Sequence, residues 1–94
     1  MVQPPNPVPA TIPDIPGARH LGDLARSDAR WSVYLETKPQ GTLATGRVHF
    51  VDGQRRRATG WIFLEASEAD VLARFNEFSP VELWKIVESL PDAR

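Results

Sequence analysis

The sequence predicts an α+β fold: a three-stranded antiparallel meander, then two short C-terminal helices packed on one face, entered through an extended proline-rich N-terminal arm. Three observations carry this reading. Apolar and polar residues alternate in runs from Trp31 to Glu65, an Asp52-Gly53 turn signal divides those runs, and from Ser67 onward the apolar spacing becomes helical.

The arm spans residues 1–16 and carries six prolines, at positions 4, 5, 7, 9, 13 and 16. Each proline fixes its own φ and pushes the preceding residue toward extended geometry, so a polyproline-like segment without helix or sheet pairing is expected. Residues 17–94 form the single small α+β domain that a chain of 94 residues has room for. Within it, residues 17–29 suggest a short helical turn around Leu21 and Leu24, weakened by Gly22. The first strand runs from Trp31 to Glu36, with Trp31, Val33 and Leu35 on one side, and Lys38 to Gly41 breaks it.

The next two strands make a hairpin around Asp52-Gly53. A three-residue turn, Asp52 to Gln54, sorts the faces better than a two-residue one. It gathers Ala44, Gly46, Val48, Phe50, Arg56, Ala58, Gly60, Ile62 and Leu64 on the face meant for the helices. The other face then carries Leu43, Thr45, Arg47, His49, Val51, Arg55, Arg57, Thr59, Trp61 and Phe63. Gly46 opposite Gly60 would let a helix approach closely.

Ser67 with Asp70 three residues on gives the first helix an N-cap, and Val71, Leu72, Phe75 and Phe78 form its apolar stripe. Ser79-Pro80-Val81-Glu82 is a capping box with proline at the first helical position. Leu83, Ile86, Val87 and Leu90 make the second stripe, with Trp84 at its edge, and Pro91 ends it.

Composition narrows the function classes. Cysteine is absent, so there is no disulfide framework, thiolate nucleophile or cysteine-ligated metal, and a reducing, cytoplasmic setting fits. The N-terminus lacks the basic start and apolar run of a signal peptide, and no apolar stretch approaches the ~20 residues of a membrane span. Docking against a membrane-embedded partner remains compatible with this. The net charge of −1 gives no global attraction to nucleic acid. His20 and His49 share no ligand spacing, and no phosphate loop or nucleophile elbow is present. No metal, cofactor or catalytic residue is therefore assigned, and the chain is read as a non-enzyme.

What remains is a sheet face with apolar residues among cations. Leu43, Val51, Trp61 and Phe63 would lie beside Arg47, His49, Arg55 and Arg57, too much apolar surface to leave wet without a reason. The expected partner-binding residues are Arg47, His49, Arg55, Arg57, Trp61 and Phe63 on the sheet, with Pro4, Pro5, Pro7 and Pro9 in the arm. The expected function is that of a non-catalytic accessory or adaptor subunit docking onto a larger protein or multi-subunit complex. A small nucleic-acid-binding or transcription-regulatory module is the alternative. It would use Arg47, Arg55, Arg57 and Trp61 as a platform or the C-terminal helix pair as a reader. The segment Leu72 to Val87 is similar in outline to a helix-turn-helix, with Ala73 in the first helix and Leu83, Ile86 and Val87 in the second. It departs from that motif at Asn76-Glu77, where glycine is usual, and its second helix would present Pro80, Glu82, Lys85 and Glu88 to phosphates, two acids against one base.

Overall fold

The computed structural model describes residues 15–93. The expected arm, including Pro4, Pro5, Pro7 and Pro9, falls almost wholly outside that range. The elements are β1 (Ala18–Arg26), β2 (Ala29–Gln40), β3 (Leu43–Asp52), β4 (Arg55–Ala58), β5 (Phe63–Glu65), α1 (Glu68–Phe75) and α2 (Pro80–Ser89). All strand pairs are antiparallel, in the order β1-β2-β3-β4, and β5 also pairs with β3. The α+β order of the sequence reading holds, with more strands than expected.

Residues 17–29 do not form a helical turn. They supply β1 and the turn into β2, because Gly22, at φ 155°, and a register shift between His20 and Gly22 bend the strand out of strict alternation. Strand β2 continues past Glu36 to Gln40, and Pro39 is accommodated within it. Beyond Glu36 its ladder partners are on β3 alone, so the missing proline N–H faces a side without a ladder. Each hairpin turn has two residues: Ser27-Asp28, Gly41-Thr42 and Gly53-Gln54. The first residue of each has positive φ, as turns matched to sheet twist require.

The last of these turns corrects the expected three-residue loop. Asp52 pairs with Arg55 and Phe50 with Arg57, one residue from the expected register, and a slip of one exchanges the faces of a strand. Arg55 and Arg57 therefore lie on the helix side with Phe50, and Arg56 lies on the other. The pairing on β5 is different again: Gly46 faces Phe63 and Thr45 faces Leu64. Phe63 is consequently buried in the core, while Ile62 and Leu64, expected beneath the helices, are exposed.

The core between sheet and helices comprises Leu24, Trp31, Val33, Leu35, Val48, Phe50 and Phe63 from the strands, with Val71, Phe75, Leu83, Trp84 and Val87 from the helices. Phe50, Val48, Val71 and Val87 are fully buried, and such side chains contribute about 1.5–3 kcal/mol each. Both helix caps form as the sequence indicates. Ser67 Oγ accepts from the Asp70 amide at 3.1 Å, and Ser79 and Glu82 cap each other reciprocally at 3.1 and 2.8 Å.

The arginine run now has a structural role. Arg57 donates through Nε to Asp92 at 2.7 Å and through a terminal nitrogen to the Val87 carbonyl, also at 2.7 Å, a carbonyl near the end of α2 that accepts from the Leu90 amide as well, at 3.3 Å. Arg55 and Arg57 both lie over the Trp31 ring, at 4.8 and 4.9 Å. Ala93 donates to the Arg56 carbonyl, so residues beyond α2 run beside β4.

Candidate functional site

The face of the sheet opposite the helices is where the expected site lies, and a local irregularity shapes it. Thr59 stands opposite Val48: its amide donates to the Val48 carbonyl at 2.9 Å and its Oγ accepts from the Val48 amide at 3.0 Å. Phe63 stands opposite Gly46. On β3 only Arg47 lies between those two positions, whereas Gly60, Trp61 and Ile62 lie between them on the other chain. The backbone must bulge outward there, and the bulge carries the Trp61 indole onto the outer face opposite Arg47.

Trp61 is 36% exposed, and Ile62 and Leu64 beside it are 52% and 55% exposed. Two cations lie over the indole: Lys38 Nζ at 4.2 Å and the Arg47 guanidinium at 4.4 Å from the ring centre. Lys38 reaches it because β2 extends past Glu36, keeping Lys38 on the face of Glu36 and opposite Thr45. A shallow groove of about 270 Å³ runs along this end of the face, lined by Lys38, Gln40, Thr45, Trp61 and Leu64.

Arg47 and His49 share one carboxylate. Arg47 Nε donates to Glu36 Oε1 at 2.8 Å, and His49 Nε2 lies 2.7 Å from the same oxygen, which puts a proton on that nitrogen. Partial burial raises the affinity of the Glu36 carboxyl for a proton. The hydrogen bonds from Arg47 and His49 outweigh that effect and hold its pKa below the ordinary 4.5. His49 is therefore largely enclosed in a polar network, with its side chain 12% exposed. Tyr34, at 5.0 Å from the His20 ring, and Val51 are also buried on this face. Accessible apolar surface thus concentrates at the β5 end, around Trp61, Leu64 and Leu43.

Of the six sheet residues expected to meet a partner, Arg47, His49 and Trp61 occupy the outer face. Arg55, Arg57 and Phe63 do not: the arginines brace Trp31 and the segment after α2, and Phe63 is 4% exposed beneath α1. The residues that sequence reasoning missed are Lys38 and Leu64. Lys38 follows from the period of two once the strand is allowed to run into Pro39. Leu64 depends on the bulge, which no local pattern announces.

A second concavity, of about 410 Å³, lies on the helix side between the start of β1 and α1, lined in part by Arg19, Leu35, Thr37, Glu68 and Leu72. Thr37 Oγ1 donates to Glu68 there at 3.1 Å. Among the described residues no cluster of three or more histidine, aspartate or glutamate side chains could hold a metal, and no helix is long and apolar enough to cross a membrane. Comparison with protein-family models, curated proteins and solved structures finds no match.

Proposed function

We propose that this chain is a non-catalytic accessory or adaptor subunit that docks onto a larger protein or multi-subunit complex through the outer face of its sheet, with the proline-rich N-terminal segment as a second contact. The observation that carries this reading is Trp61, raised on a bulge beside exposed Leu64 and stacked by Lys38 and Arg47. Tryptophan and arginine are the residues most enriched where interfaces concentrate their binding energy. An indole already held by two cations also loses little side-chain freedom on being covered. A cytoplasmic setting belongs to the proposal and rests on the absence of cysteine from the sequence.

A nucleic-acid platform of Arg47, Arg55, Arg57 and Trp61 is less well supported, because Arg55 and Arg57 lie on the helix side. The test is affinity capture from native cells with the full chain and with a Trp61→Ala, Leu64→Ala double variant. Loss of the captured protein, with an unchanged melting temperature, supports the reading. Undiminished capture by the folded variant refutes the site. Capture that instead fades steeply as salt rises, together with recovered nucleic acid, favours the platform.

A further inference from the structure

Building on that docking reading, we infer that the segment seated on the outer face is an acidic protein segment carrying an apolar side chain. The apolar side chain lies against Trp61 and Leu64, and a neighbouring carboxylate meets Lys38.

The groove carries unbalanced charge. Its walls are apolar at Trp61 and Leu64 and polar at Lys38, Gln40 and Thr45, and none of these is an acid. Two cations lie over the indole, and the Glu36 carboxylate is already committed to Arg47 and His49 through a single oxygen. Among the described residues no carboxylate lies within 4.0 Å of Lys38. The rim of the groove is therefore net positive, although the whole chain is slightly negative. A basic segment would be repelled. A neutral apolar segment would cover Trp61 but leave Lys38 partly desolvated without a counter-charge. An acidic–apolar segment satisfies both demands, since a carboxylate reaching Lys38 Nζ stands above the same ring that the apolar side chain touches.

The experiment uses the full ¹⁵N-labelled chain and two short synthetic peptides, one alternating glutamate with leucine, the other with lysine in place of each glutamate. The acidic peptide is expected to shift the resonances of Lys38, Arg47, Leu64 and the Trp61 indole N–H. Its affinity should fall about fivefold in a Lys38→Glu variant and weaken as salt rises. Equal binding of the lysine peptide, or no shift with either, overturns the inference. A photo-crosslinker at position 64, used in native cells, keeps this failure separate from failure of the docking reading. A crosslink to another protein without acidic preference retains the adaptor and removes the acidic segment. A crosslink only to a second copy, or to residues 1–14 of the same chain, overturns both.

Discussion

Val71 Cγ1 stands 2.6 Å from the place a Cβ on Gly46 would occupy, so α1 rests on the bare backbone of β3. The β-branched Val71 is fully buried and cannot swing aside. Gly46→Ala is expected to destabilise the domain by about 1–3 kcal/mol through overpacking. Gly60→Ala, where a Cβ meets nothing within 4 Å, should stay within about 0.5 kcal/mol of the parent. Urea denaturation of the two variants checks the contrast.

Arg57→Ala should cost about 1–3 kcal/mol, because it removes a charged hydrogen bond to Asp92 and the shorter of the two hydrogen bonds that the Val87 carbonyl accepts. Arg55, half-exposed and 3.7 Å from both Asp52 and Asp92, should cost under about 1 kcal/mol when truncated. Arg57→Lys is expected to recover only part of the loss, since one ammonium cannot reproduce the two-directional fork. Thermal melts of the three variants decide the order.

Acid should destabilise the domain through specific carboxylates. Glu36 is held below its ordinary pKa because the bonds from Arg47 and His49 exceed the opposing effect of burial, and Asp92 chiefly by the hydrogen bond from Arg57. A carboxyl whose pKa is lower folded than unfolded stabilises the fold above its ordinary value, and that stability drains as pH falls through the folded value. The melting temperature should therefore hold from neutral pH down to about 4.5 and decline below it. In Glu36→Gln the neutral-pH value should be lower and the acid decline shallower.

Ser27 opens the β1–β2 turn at φ 53°, where Gly41 and Gly53 serve the other two hairpins. A side chain in that conformation carries strain that glycine does not. Ser27→Gly should raise stability by about 0.5–1 kcal/mol, read from the denaturation midpoint.

The elements whose signals are local were legible in the sequence. Ser67 and Ser79 announced both helices, and Trp31, Val33 and Leu35 marked the core side of β2. What stayed hidden depended on register. Nothing in the order Asp-Gly-Gln-Arg says that Gly53-Gln54, rather than Asp52 to Gln54, makes the turn. That single step moved Arg55 and Arg57 to the helix side. Strand β1 was hidden because the shift at Leu21 scrambles its period and most of its side chains are exposed. Trp61 faces outward through the bulge, not through simple alternation, and the same bulge carries Phe63 inward.

The two threonines flanking that bulge have a consequence for variation. Thr59 ties the incoming strand to Val48, and Thr45 Oγ1 donates to the Phe63 carbonyl at 2.7 Å, anchoring the outgoing one. The three residues between these clasps can change in identity, and even in number, without sliding either strand along β3. The tip that carries the tryptophan is thus free to diverge while the packed interior keeps its alignment, so under the docking proposal specificity can be rewritten at little cost to folding.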